Sequence, residues 1–261
     1  FFGEKLARQL TEENKKADLL LGNNVLAHDP DINDFVLGLK ILLKENGVIT
    51  MEFPHLLQLV KYNQFDTIYH EHFSYLSLTT VKRIFESKGL SIFDVEEIPT
   101  HGGSLRIFAK HSDDQNNPIL ENVEKIIAQE IREGLTTKDY YKNFQKSAKQ
   151  VKFNFLEFLL SNKNKKIAAY GAAAKGNTLL NFCGVKNDLI QFVVDASPFK
   201  QGKYLPGSHI PIVTEEQIKK YKPDFVVIFP WNIKKEIEEQ LTYIRDWGGK
   251  FVIAVPELTI F

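Results

Sequence analysis

Apolar positions change their spacing several times along the 261-residue chain, and each change marks an element. Residues 4–16 are mostly polar and read as a short helix. ADLLLGNNVL (17–26) opens as a continuous apolar run that stops at polar residues, the pattern of a buried parallel strand. From Asp31 to Leu43 the apolar residues Ile32, Phe35, Val36, Leu39, Leu42 and Leu43 recur at helical spacing. Asp29 and Pro30 stand before them as start signals. GVITMEF (47–53) is a second β-branched run. Strand, helix, strand in that order implies a right-handed crossover and a parallel pair.

The pattern then shifts. Thr79–Lys88 reads as a helix stopped by Gly89. SIFDVEEIP (91–99) and SLRIFAK (104–110) read as an antiparallel pair joined by the turn Thr100-His101-Gly102-Gly103. Residues 119–162 lack proline and predict one or two bridging helices with a break near Gly134. A second α/β unit starts at KKIAAYGAAAKGNTLLNF (165–182), a strand running through a small-residue loop into a helix. LIQFVVDAS (189–197), DFVVIFP (224–230) and KFVIAVPE (250–257) supply further strands, with helices at 214–221 and 233–245. There is no fixed-period repeat and no low-complexity tract. The expected plan is α/β throughout: a partial sheet domain over 1–112, a helical linker over 113–162, and a second α/β domain over 163–261.

Composition narrows the class of partner. Hydrophobic residues at 43% and charged residues at 25% are the balance of a soluble globular protein. The 33 basic and 33 acidic residues cancel, which argues against nucleic acid or an anionic membrane held by bulk charge. Apolar runs such as FLEFLL (155–160) are too short to span a bilayer, and no signal segment opens the chain. Cys183 is the sole cysteine, so no disulfide framework and no cysteine-based zinc site is expected. The expectation is a cytoplasmic monomer that works on a small molecule. The chain opens Phe1-Phe2-Gly3 and its one methionine is Met51, which reads as part of a longer protein.

Candidate chemistry concentrates in a few loops. In DTIYHEHFSY (66–75), His70 and His72 share a face if the stretch is extended, with Tyr69 and Glu71 on the other; a tight loop lets all of them converge. Spacing alone leaves a polar loop, an acid–base set and a metal site open, in that order. A carboxylate and a phenol beside an imidazole suit proton transfer near neutral pH, whereas zinc needs a third ligand and there is no H-E-x-x-H pattern. GNNVLAHDPD (22–31) sets Asn23, Asn24 and His28 beyond the carboxyl end of a parallel strand, where open α/β sheets bind ligands; the alternative is a helix-capping loop. GAAAKG (171–176) offers Gly171, Lys175 and the following Asn177 at a helix N-terminus, an arrangement that suits an anion, although close helix–sheet packing explains the small residues too. Asp195 ends the next strand, where it could bind a ribose hydroxyl or cap the turn at Ser197-Pro198.

Taken in order, NNVLAH, GVITMEFPH, FDTIYHEHFSYLS, GLSIFDVEEIPTHGGSLR, AYGAAAKGNTLLN and VVDASPFKQGKYLPGSHIPI resemble the SAM-dependent sugar C-methyltransferases, which act on nucleotide-linked ketodeoxysugars. The resemblance covers nearly the whole chain, and YHEHFSY with THGGSLR is its most specific part. It implies a fold made of the C-terminal half of a Rossmann-like methyltransferase sheet, a helical linker and a second Rossmann-like domain that contributes to the sugar-nucleotide site. In such proteins a cysteine-rich zinc domain, the first strands of the sheet and the glycine-rich SAM loop come earlier, and none of them is in this chain; no metal site is expected here. The resemblance implies SAM as methyl donor and a base that forms an enolate. It matches His72 to the base, Glu71 and Tyr69 to its support, and His28 to another active-site histidine. Asn23 and Asn24 fall on the cofactor side, and Lys175, Gly171, Asn177 and Asp195 on the substrate side. Two further readings remain: a non-catalytic nucleotide-sugar binding module, and a C-methyltransferase with a different ketone as acceptor.

Overall fold

The computed structural model describes residues 2–261, and the chain folds as two compact units. The first unit takes the chain up to Lys61 together with His70–Lys142; the second takes Tyr62–Tyr69 and Asn143–Phe261.

The first unit opens with α1 (Glu4–Glu12), β1 (Ala17–Asn23), α2 (Ile32–Leu42) and β2 (Leu43–Pro54). As expected, β1 and β2 pair in parallel across the helical crossover. The Asp31 side chain starts α2 by accepting from Asp34 N at 3.1 Å. Short α3 (Leu56–Lys61) follows, then α4 (Leu78–Ser87) and the antiparallel β3 (Leu90–Ile98) and β4 (Ser104–His111). The four strands lie in the order β1-β2-β4-β3. Alternation along β2 and β4 sends Ile49, Met51, Phe53, Leu105, Ile107 and Ala109 to a core shared with Val36 and Leu39 of α2 and with Val81 and Phe85 of α4. At the free edge, Leu19 and Leu21 of β1 are 53% and 71% exposed. Parallel strands are normally covered on both faces, so this corner of the sheet carries the apolar surface of a buried strand without a cover.

The helices placed by sequence between the domains divide between the units. The first, α5 (Glu121–Glu133), joins the first unit through Val123 and Ile126, and ends at Gly134 in the left-handed conformation. After α6 (Lys138–Tyr141), the long α7 (Phe144–Ser161) buries Val151, Phe155, Phe158 and Leu159 in the core of the second unit. Burial of an apolar stripe decides membership, and each helix has its own stripe.

The second unit continues with β5 (Ile167–Tyr170), α8 (Ala174–Cys183), β6 (Val193–Val194), β7 (Ile212–Val213), α9 (Glu216–Tyr221), β8 (Phe225–Ile228), α10 (Lys234–Gln240), β9 (Lys250–Ile253) and β10 (Thr259–Ile260). Its six strands run β10-β9-β8-β5-β6-β7, all parallel except the β10–β9 pair. One face packs Ile167, Ala169 and Val227 on α7 and α8; the other packs Ala168, Tyr170 and Val226 against Ile218 and Ile237 of α9 and α10. Strand order reverses between β5 and β8, which places the loops after those strands at the topological switch point. Cys183, at the end of α8, is buried, and burial pushes its thiol up to about 12 against the influence of Lys152. No helix among the described residues is long and apolar enough to cross a membrane.

One buried carboxylate organises the first unit. Glu130 of α5 is 0% exposed. It accepts from His55 Nε2 at 2.7 Å, Leu78 N at 2.6 Å, Thr79 N at 2.9 Å and Thr79 Oγ1 at 2.6 Å. Burial alone would raise its pKa; the bonds from His55, Thr79 and Leu78 outweigh that and hold it below the usual 4.5. A carboxyl with a lowered folded pKa stabilises above its unfolded value and loses that contribution as pH falls through the folded one. Glu130→Gln is therefore expected to destabilise the first unit by roughly 3 kcal/mol at neutral pH, because it leaves buried donors facing an amide. Denaturant unfolding at a series of pH values should show the gap between variant and wild type closing below 4.5. A gap that does not change with pH would show that the charge is not what matters.

Candidate active site

The carboxyl ends of β1 and β2 gather the histidines. After β1 the chain makes a single 3-10 turn, Leu26–His28. The carbonyl of Ala27 in that turn accepts from Phe73 N at 2.9 Å and from Ser74 N at 3.2 Å. This stitches the 72–74 segment to the turn and brings the rings of His28 and His72 edge to face, with centroids 4.7 Å apart at 81°. Tyr75 stands beyond, its ring 6.1 Å from that of His72. Residues 68–77 form no helix or strand ladder beyond the bridge of Leu76 to His55 and turn at 69–71, so the stretch is a loop, and the ring contacts of His72 are with His28 and Tyr75. The far end of the loop is held by Leu56 N donating to Leu76 O at 2.8 Å and by Glu130 at the start of α4.

His28 and His72 are half-buried, while His70 and Glu71 are exposed. Tyr69 is half-buried and belongs to the second unit. Asn23 closes β1 opposite Glu52 and is exposed. Asn24 adopts a left-handed backbone, φ 56°, and its Nδ2 lies 2.8 Å from His101 Nε2. Its Oδ1 is buried and has no hydrogen-bond partner. Glu52, 5% exposed, accepts from Thr100 Oγ1 at 2.8 Å and Arg106 at 3.1 Å, which binds the turn after β3 to the end of β2. The sequence presents 100–103 as a turn and gives no local sign that His101 meets Asn24 or that Glu52 holds Thr100. The adjacent His101-Gly102-Gly103 was the available signal, since a histidine followed by glycines in a turn invites positive φ.

In the second unit the small-residue loop is shaped by packing. Gly171 has φ 94°, and a Cβ there would stand 2.5 Å from Pro230 Cδ; at Gly176 it would stand 2.5 Å from the Phe229 ring. Both glycines are thus required by the segment after β8. Lys175 donates to Asn232 Oδ1 at 2.8 Å and lies 4.4 Å from the centre of the Trp231 ring. Burial lowers its pKa, opposed by the charge of Asp66. Asp66, 1% exposed, accepts from Trp231 Nε1 at 2.7 Å, while its Oδ1 has no partner. The segment 62–69 therefore puts a carboxyl at the loop that the sequence marks for an anion, a placement set by contacts far along the chain. Asn177 also buries an unpartnered Oδ1. Asp195 accepts from Ala172 N at 2.8 Å, Ser197 N at 2.9 Å and Lys200 at 3.2 Å, so it ties the loop after β5 to its own turn. Among the described residues no group of three or more His, Cys, Asp or Glu is placed to hold a metal ion.

Residues 99–256 match the family described as the C-methyltransferase C-terminal domain. The chain belongs to that family. It is 35% identical over 258 residues to the C-methyltransferase NovU of Streptomyces niveus, covering 98% of this chain and 61% of that protein. The chain thus spans about three-fifths of the length of the curated relative it matches (61%). Among solved structures, the M1.HpyAVI–SAM complex is 9% identical over 44% of this chain and 55% of its own, with a TM-score of 0.29. Phospholethanolamine N-methyltransferase 2 of Haemonchus contortus, bound to phosphomonomethylethanolamine and S-adenosylhomocysteine, is 13% identical over 94% of this chain and 62% of its own, with a TM-score of 0.25. Likenesses this slight add nothing to the topology described above. The resemblance carried by YHEHFSY and THGGSLR is thereby established at the level of C-methyltransferases.

Burial raises the Asp66 carboxyl from 3.8 to about 6, against the lowering effects of the Trp231 bond and Lys175. A raised folded pKa means that the folded chain holds this proton longer than the unfolded one. The contribution of Asp66 to stability should then fall as pH rises from 3.8 to about 6 and level off above. Asp66→Asn, which keeps an acceptor for Trp231, is expected to flatten that decline. Thermal unfolding across the window checks it; an unchanged profile would mean that Asp66 titrates as in an open chain.

Proposed function

We propose that the whole protein transfers a methyl group from SAM to the carbon beside the keto group of a nucleotide-linked deoxysugar, in a reducing cytoplasm. The observation that carries this reading is the pairing of His28 and His72 at the carboxyl edge of a parallel strand pair, in a chain of the C-methyltransferase family. A carbon beside a ketone is a weak acid, so a base must take its proton before the carbon can act as a nucleophile. His72 is that base: an imidazole, half-buried and turned by the Ala27 bonds into contact with His28. His28 limits the orientation of the His72 ring. Glu71 and Tyr69, its neighbours in sequence, are kept as supporting polar groups.

SAM supplies a methyl group on a positively charged sulfur, open to attack by an electron-rich carbon. Asn23 and Asn24 fit its edge of the site, because the buried Oδ1 of Asn24 lacks the donor that an ammonium or a ribose hydroxyl would provide. For the nucleotide of the acceptor, Gly171, Lys175, Asn177 and Asp195 are the proposed contacts. Their support is the position of the loop at the switch point of the second sheet.

His72→Asn and His72→Ala are expected to lower kcat/KM for methyl transfer by about 100-fold or more with the fold intact. Both should also slow the exchange of deuterium at the carbon beside the ketone when SAM is absent. Full activity of either variant would remove His72 as the base.

A further inference from the structure

The turn between β3 and β4 holds a histidine against its backbone preference. His101 has φ 55° and ψ 17°, the left-handed region that disfavours any residue with a Cβ. Gly102 and Gly103 beside it also have positive φ, so a glycine would suit position 101 as well. The conformation is over-determined from outside the residue. Thr100 Oγ1 donates to Glu52 at 2.8 Å, Ser104 Oγ to Thr100 O at 3.0 Å, and His55 N to Gly103 O at 3.1 Å. Strain that the surroundings enforce on a polar residue collects at functional sites.

The partner of His101 is strained as well. Asn24 has φ 56°, and its backbone N–H is held by the carbonyl of Glu52 at 2.8 Å. Its amide nitrogen donates to Nε2 of His101 at 2.8 Å, which leaves the ring proton on Nδ1. Asn24, held by the Glu52 carbonyl, and His101, whose neighbour Thr100 is held by the Glu52 carboxylate, thus meet from different strand ends and orient one exposed imidazole. They do so at the carboxyl edge that carries His28 and His72.

We propose that His101 is a further active-site residue, donating a hydrogen bond from Nδ1–H to the ketone oxygen of the acceptor while His72 removes the neighbouring proton. The inference rests on the methyl-transfer reading given above. As the C–H bond breaks, its proton goes to His72 and its electron pair moves into the enolate, whose negative charge on oxygen the His101 N–H stabilises without giving up its proton. When the pair returns to form the C–CH3 bond, the S–CH3 bond breaks and the sulfur leaves as a neutral thioether.

The test uses the whole protein. His101→Gly accommodates φ 55° without strain, so its stability is expected to equal or exceed that of the wild type. Its methyl transfer and its deuterium exchange beside the ketone should fall by about 100-fold, chiefly in kcat. Added imidazole should restore part of the loss, which a merely structural role would not allow. His101→Asn, which tolerates the left-handed backbone and keeps a donor, should retain more activity than glycine. Nitrogen-edited NMR should find the Nδ1–H tautomer in the wild type and lose it in Asn24→Ala. An active wild type with an equally active His101→Gly, or a wild-type Nε2–H tautomer, would overturn the role of His101. An inactive wild type would instead overturn the methyl-transfer reading itself.

Discussion

A carboxylate with no solvent contact must have its charge met from within, and at Glu130 that requirement binds the first unit together. The bonds it accepts come from His55 after β2 and from the start of α4, while the residue itself sits on α5. One side chain thereby fixes the end of a strand and two helices. It also fixes the exit of the loop that presents His72, since α4 begins where that loop ends. His55 in turn holds Gly103 through its backbone. The loop that carries His72 and the His101 turn are consequently anchored to the same buried pair. Desolvation makes such a pair weak evidence for stability in general, but removing one partner is costly, which is how a buried charge can enforce a single geometry.

The second unit shows the opposite use of a buried carboxyl. Asp66 is as well hidden as Glu130, yet it receives one side-chain hydrogen bond and leaves an oxygen unpartnered. Its pKa moves up where that of Glu130 moves down. The count of donors decides the sign: a well-supplied carboxylate stays charged despite burial, and a poorly supplied one retains its proton more readily. Lys175 belongs to this balance, since its charge opposes the rise at Asp66.

Long elements were legible in the sequence and long-range partners were not. The β1–α2–β2 crossover, the β3–β4 pair and the stop at Gly134 follow from periodicity and punctuation that a local reading can see. Strands as short as β7 (Ile212–Val213) and β10 (Thr259–Ile260) leave too few positions to show a period. Residues 62–69 could not be assigned to the second unit from sequence, because Phe65 and Asp66 decide it through contacts with Phe182 and Trp231 far along the chain. At the site, the carboxyl-edge rule was enough to bring His28 and His72 into one region. The tie between Asn24 and His101 depends on two left-handed backbones meeting across 77 positions, and no spacing rule encodes that.

The thiol of Cys183 leads somewhere unrelated to catalysis. It is the chain's only cysteine, buried at the end of α8, and its proton is held up to about 12, so almost none of it is thiolate at neutral pH. Alkylating reagents act on the thiolate and should pass it by. A cysteine installed at an open position such as Phe199, 84% exposed, would then be the one reactive sulfur in the chain. Fluorescent or spin probes could report on the second unit with the native residue left in place.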